Sequence, residues 1–198
     1  MNSLVVHSKF SLSSLQNYME ECIFLAKQAS SEVRGPYVGA LVLDSRGKII
    51  GRGYKTMDHG TSLIVHAERR ALEDATIRGG RGVTIITTLE PCIENHQSQL
   101  LQSCSDLIIS QKIKEVIIGR TDNSEHFAGR QCTHYLQNRG VVVYEYFSLT
   151  RRIRNELMNR QIGYNRGVSY ARHLPNEQSY VYRCNSAFTH VLASPAEQ

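Results

Sequence analysis

His66, Glu68, Cys92 and Cys104 are the side chains of this 198-residue sequence whose types and spacing let them act together. One imidazole and two thiolates fill three of the four tetrahedral positions that Zn²⁺ prefers and leave the fourth for water. An open position is the mark of a catalytic rather than a structural site. Zinc lowers the pKa of its bound water from about 15.7 to about 7, which supplies a nucleophile at neutral pH. Such a nucleophile attacks an electron-poor carbon bearing an amino group. Glu68, two residues beyond His66, is then more useful as a proton carrier than as a fourth ligand. It takes the water's proton and delivers it to a ring nitrogen and the departing ammonia.

The third ligand is read as Cys104, because thiolate suits zinc and this residue opens an apolar helical stretch that would hold it still. His96, in Cys92-Ile93-Glu94-Asn95-His96, is the rival, and its polar surroundings read as pocket lining or a solvated loop. Further candidates for substrate contact are Ala67, Glu90 and Pro91, which adjoin the ligands, and Asp122 and Asn123. The last two follow the fourth expected strand, and ligands collect at the carboxyl ends of strands. Glu90 reads equally well as a capping or surface glutamate.

The elements around these residues alternate. Residues 13–30 have apolar side chains at helical spacing. Tyr37 to Leu43 and Lys48 to Tyr54 predict an antiparallel hairpin around Asp44-Ser45-Arg46-Gly47, and Lys55 to Ser62 reads as a polar loop. A helix over 66–77 carries His66 and Glu68 in its first turn, where the helix dipole favours nearby negative charge. Val83 to Leu89 is a strand delivering Cys92, and Cys104 to Lys112 a helix. Glu115 to Gly119 and Val141 to Tyr146 are strands made parallel by the helix over 128–138 between them. Together these predict a three-layer α/β/α sandwich with a five-stranded mixed sheet over residues 1–147. Residues 148–198 are expected to form an amphipathic helix followed by a loosely ordered basic tail.

Charge and composition bound the function. Residues 1–150 carry 16 Lys and Arg against 15 Asp and Glu, whereas residues 151–198 carry seven Arg against three Glu. A near-neutral catalytic stretch favours a small substrate over a polynucleotide, for which a continuous basic track is needed. No run approaches the roughly 20 apolar residues of a membrane span. The first residues lack a basic region followed by a long apolar run, so a cytoplasmic location with reduced cysteines is expected.

The order of elements, together with His66-Ala67-Glu68 and Pro91-Cys92, resembles the zinc-dependent cytidine and deoxycytidylate deaminase superfamily over roughly residues 15–147. Within it, Pro36-Tyr37-Val38-Gly39-Ala40, Thr87-Thr88-Leu89-Glu90-Pro91-Cys92 and Ile113-Lys114-Glu115-Val116-Ile117-Ile118-Gly119 are most similar to the pyrimidine deaminase domain of riboflavin biosynthesis. That resemblance implies zinc-dependent hydrolysis of an amino group on a pyrimidine-like ring of a free nucleotide or nucleoside, in a homo-oligomer, dimer or tetramer. Three motifs depart from the family. Gly35-Pro36 stands for its Asn-Pro, the segment 93–104 replaces a short Gly-Arg-Thr-Pro-Pro-Cys loop, and Thr121-Asp122-Asn123-Ser124 replaces Asp-Pro-Asn-Pro. Two other readings stand beside this one: a deaminase of cytosine or adenine in RNA or single-stranded DNA, and an inactive zinc-stabilised binding module. Retention of Glu68 argues against the module, since structure alone needs no proton carrier.

Overall fold

The computed structural model describes residues 9–31, 33, 35–94, 101–122, 131–158 and 181–183. Helix α1, Leu12–Ala26, starts where the Ser11 side chain accepts the Ser14 N–H at 3.1 Å. It buries Leu15, Met19, Cys22, Ile23 and Ala26, one stripe at helical spacing. Strands β1, Gly39–Leu43, and β2, Ile49–Tyr54, form the expected antiparallel hairpin. Asp44 holds its turn by accepting the Arg46 and Lys48 N–H groups at 2.8 and 2.9 Å.

The segment expected to be a loop differs. It contains two short antiparallel strands, β3 (Thr56–Asp58) and β4 (Leu63–Val65), closed by Asp58 accepting the Gly60 and Thr61 N–H groups. This ribbon leads directly into helix α2, Ala67–Ile77, with His66 as its N-cap.

Then follow β5 (Thr84–Thr87), α3 (Cys104–Ser110), β6 (Glu115–Ile118), α4 (Gln131–Gln137) and β7 (Val142–Tyr146). Strands β5, β6 and β7 are parallel neighbours, with α3 and α4 as crossovers. Their inner positions are apolar on both faces, with Ile85, Ile86, Val116 and Ile117 fully buried, as parallel strands covered by helices require.

After β7 the chain makes a 3₁₀ turn (Phe147–Leu149), a short helix α5 (Thr150–Ile153) and a π-helical turn (Arg154–Met158), where one amphipathic helix was expected. Ile153, Leu157 and Met158 are buried, and the Thr150 hydroxyl donates to Gly119 O at 2.7 Å. The tail also supplies a strand that its aperiodic sequence hides. Val181–Arg183 forms β8, antiparallel to β7, so the five-stranded mixed sheet gains a sixth edge strand in the order β2-β1-β5-β6-β7-β8.

Helices α1 and α2 cover opposite faces. A Cβ on Gly53 of β2 would come within 2.2 Å of Ala67 O, so this glycine lets the first turn of α2 lie directly on the sheet. Adjacent residues of a strand face opposite sides, and the other face, with Gly119, meets Met19 of α1 and Ile153 of α5.

A candidate metal centre at the strand ends

Three elements converge at the carboxyl ends of the parallel strands. The N-terminus of α2 brings His66 and Glu68, the exit from β5 brings Glu90, Pro91 and Cys92, and the first residue of α3 is Cys104. Ser103 caps α3, its hydroxyl oxygen accepting the Asp106 N–H at 3.0 Å, which fixes where Cys104 begins. Cys104 N–H donates to Cys92 Sγ at 3.3 Å, and Ser105 N–H to Cys92 O at 3.0 Å. The long connection between the cysteines therefore returns to the same point.

His66 Nδ1 lies 3.4 Å from both Cys92 Sγ and Cys104 Sγ, and the three ligand atoms are all within 4.8 Å of one another. Tetrahedral zinc with bonds of about 2.0 Å to nitrogen and 2.3 Å to sulfur has N–S edges of about 3.5 Å. One nitrogen and two soft thiolates at these separations fit zinc in both chemistry and geometry. Among the described residues this is the group that could hold a metal.

Electrostatics agree with a cation at this point. The Cys92 thiol is held well below its usual range, first by the hydrogen bond from Cys104 and further by His66, against burial. Cys104 is pushed up, because it shares that bond and is buried beside Glu68 and Cys92. Burial disfavours the charged form of His66, yet the hydrogen bond and charge of Cys92 leave its pKa raised. A divalent cation bound here would hold both thiols ionised and the imidazole neutral.

Glu68 is buried, with Oε2 at 3.6 Å from Cys104 Sγ, and burial raises its pKa despite the opposing charge of His66. The Thr87 hydroxyl lies 3.4 Å from Glu68 Oε1 and 3.0 Å from Leu89 O, so its single proton goes to the carbonyl. A buried carboxyl with a raised pKa beside the ligand atoms is suited to taking and giving a proton.

The other sequence candidates separate. Ala67 and Pro91 are buried beside the ligands. Glu90 accepts the Asp122 N–H at 3.1 Å and the Thr133 N–H at 3.3 Å, tying the β5 exit to the segment after β6 and to α4. Burial pushes its pKa up to about 7. His96 and Asn123 lie outside the described residues. Sequence reasoning overlooked Lys55, which follows β2 directly and is only 7% exposed. Burial lowers its pKa to about 8, although the charges of Glu68, Asp122 and Cys92 act to raise it.

An α/β/α sheet with an open three-ligand metal position and a buried carboxylate at its strand ends is the architecture of a metal-dependent hydrolase. Residues 12–120, more than half the chain, match the family model for the cytidine and deoxycytidylate deaminase zinc-binding region, and the chain belongs to this family. It is 36% identical over 134 residues to riboflavin biosynthesis protein RibD of Actinobacillus pleuropneumoniae, covering 65% of this chain and 32% of that one. It is 32% identical over 128 residues to the chloroplastic riboflavin biosynthesis protein PYRD of Zea mays, covering 64% and 30%. Among solved structures, the diaminohydroxyphosphoribosylaminopyrimidine deaminase/5-amino-6-(5-phosphoribosylamino)uracil reductase of Thermotoga maritima is similar at a TM-score of 0.62. It is 31% identical, with 74% of this chain and 40% of that one covered. The chain spans about a third of the length of the curated relatives it matches.

Proposed function

We propose that this chain catalyses hydrolytic deamination of an aminopyrimidine ring on a free nucleotide, with the phosphoribosylated diaminopyrimidine of riboflavin-type metabolism as substrate. The observation that carries the reading is the buried Glu68 carboxyl beside the three ligand atoms. His66, Cys92 and Cys104 hold zinc, which when bound supplies Lewis-acid activation of a water. Glu68 would accept one proton of that water and pass it to the ring nitrogen, then carry the second, from the added hydroxyl, to the leaving amine. Water and a C–NH₂ group become a carbonyl and ammonia, with no net change of charge on the protein. Ala67, Pro91 and Asp122 contact the ring, with Glu90 positioning Asp122 and the start of α4 through its two backbone bonds.

The similarity to the deaminase/reductase of Thermotoga maritima supports the choice of substrate. The reading includes a homo-oligomer, dimer or tetramer, and a cytoplasmic location. It also divides the chain into a deaminase domain, residues 1–147, and a C-terminal segment, residues 148–198. No described helix is long and apolar enough to cross a membrane, and Cys22, Cys92, Cys104 and Cys132 are all free. The test is incubation of the zinc-loaded protein with the phosphoribosylated diaminopyrimidine, dCMP and cytidine, and separately with RNA and single-stranded DNA. Ammonia release and a mass gain of about one unit per amino group replaced are expected with the diaminopyrimidine. Turnover confined to polynucleotides would overturn the reading.

A further inference from the structure

Cys104 is placed by contacts with other elements and not by the chain just before it. Residues 93–103 separate it from Cys92, whereas His66 caps α2 and Cys92 follows β5 closely. A connection of that length costs little more to close than a shorter one, but it leaves the position of its far end to its partners. Arg69 of α2 supplies one, donating to Gln102 O at 2.7 Å. Helix α4 supplies a longer chain of them. The Tyr135 hydroxyl donates to Asp106 Oδ1 at 2.5 Å, and the Ser103 hydroxyl donates to Asp106 Oδ2 at 2.8 Å. Ser103 Oγ in turn accepts the Asp106 N–H at 3.0 Å, a reciprocal pair that fixes the backbone on either side of Cys104. One carboxylate therefore joins the cap of α3 to α4. It also pushes the Tyr135 pKa up, so the phenol keeps the proton it donates. Arg139, one turn further along, stacks over the Tyr135 ring at 3.6 Å and donates to Tyr135 O at 3.2 Å, which holds the phenol in place. A second contact between the helices lies deeper, where Ser105 Oγ is 3.3 Å from Cys132 Sγ. The Cys104 Sγ that results from this arrangement is 3.4 Å from His66 Nδ1.

We propose that Tyr135 and Asp106 are positioning residues for the metal centre, and that the Tyr135–Asp106–Ser103 clasp holds Cys104 at its ligand position before the metal arrives. This rests on the reading of His66, Cys92 and Cys104 as zinc ligands given above. The effect follows from where the cost of ordering falls. A ligand already held in place loses little further freedom when the metal binds, so the metal binds more tightly. With the clasp open, the first turn of α3 is free to fray, and every binding event must restore it. In the usual Pro-Cys-x-x-Cys pattern the short gap sets the second cysteine. Here the clasp takes over that task across the longer connection.

The test measures, in the full chain, zinc affinity by competition with a chromogenic chelator and the melting temperature of the metal-free protein. Tyr135→Phe keeps the ring under Arg139 and removes only the donor. It is expected to weaken zinc binding roughly 10- to 100-fold, the range for outer partners of metal ligands. Ser103→Ala, which removes the cap, should lose at least as much. Asp106→Asn keeps one acceptor oxygen and should fall between wild type and Ser103→Ala. A group that acts through the cap has little further effect once the cap is gone, so the loss in the double variant Tyr135→Phe/Ser103→Ala should stay well short of the product of the single losses. Losses that multiply in full would overturn the route through Ser103. If Ser103→Ala does not fold, Tyr135→Phe and Asp106→Asn must both still show weakened zinc binding. A zinc affinity in Tyr135→Phe less than about twofold below wild type, whatever its melting temperature, would make the bond ordinary packing between α3 and α4. That result would overturn the proposal and leave the ligand assignment intact. A wild type that holds no zinc, or a Cys104→Ser variant that holds it as tightly as wild type, would overturn the ligand assignment as well.

Discussion

Glu68 and Cys104 are 3.6 Å apart, yet a change at each should break a different property. Cys104→Ser replaces a soft thiolate with a poor zinc ligand, and the bound zinc should fall from about one per chain to a small fraction, measured by metal analysis after dialysis. Glu68→Gln keeps the size of the side chain and removes only the proton carrier. Zinc content and melting temperature should persist while turnover falls by roughly 100- to 10,000-fold. Full turnover in that variant would mean that another group moves the proton. Lys55 gives a prediction in pH. Its pKa in the fold, about 8, lies below that of an unfolded lysine, so the folded chain binds this proton less tightly. The stability it withholds is fully withheld below pH 8 and regained as pH rises toward about 10.5, a span of about 3 kcal/mol. The charges of Glu68, Asp122 and Cys92 oppose the shift; zinc on Cys92 would remove one of these raising influences and leave the direction unchanged. Lys55→Met should therefore gain on wild type most at pH 7 in urea unfolding, and its advantage should shrink between pH 8 and 10. A difference between the two proteins that does not vary with pH would count against a buried ammonium.

At the scale of elements, the site depends on how closely the first turn of α2 approaches β2. Gly53→Ala places a Cβ 2.2 Å from Ala67 O, which is backbone and cannot swing aside, so the helix end must shift. Because His66 caps that end and Glu68 is in its first turn, zinc affinity and turnover should both drop. The loss of stability should be about 1–3 kcal/mol, the usual cost of overpacking. Chemical denaturation and a zinc competition assay read the two effects, and intact zinc affinity would show that α2 tolerates the shift. The elements that were legible from sequence were those whose burial is periodic or continuous: the stripe on α1, the β1–β2 hairpin around Asp44, and the Ile-rich β5 and β6. His66-Ala67-Glu68 and Pro91-Cys92 were legible because metal chemistry restricts residue type. The β3–β4 ribbon was hidden because its strands are three residues each and half-buried, with no core-facing alternation. Lys55 was hidden for a related reason: it adjoins that polar segment, and only the fold shows that β2 ends at the same end of the sheet as β5, with β1 between them. The three residues of β8 are held by backbone pairing with Tyr144 to Tyr146, and such pairing leaves little trace in side-chain type.

For the whole molecule, the distribution of charge separates a free nucleotide from a polynucleotide. Several described cations around the fold pair with carboxylates: Arg52 with Glu21, Arg78 with Asp74, and Arg152 with both Glu20 and Glu156. Lys27 pairs with Glu156 and Lys9 with Glu115. Exposed pairs of this kind contribute little to stability, but each matches a positive charge locally. The net excess, seven Arg against three Glu, lies in residues 151–198. A single strand held by six phosphate contacts loses affinity with a log–log salt slope of about −4, whereas a mononucleotide with one phosphate gives a slope of about −1 or shallower. We expect kcat/KM for the phosphoribosylated diaminopyrimidine, measured by ammonia release between 50 and 500 mM salt, to follow the shallow slope. A chain ended after Arg166 loses two of the seven tail arginines, Arg172 and Arg183, together with β8, and it should keep both that slope and its zinc. It also uncovers the edge of β7, where Tyr144 and Tyr146 are buried, so it should associate more readily on light scattering. A slope near −4 that is lost on truncation would mean that the arginines track a nucleic-acid backbone, and the substrate would then be a base within a strand.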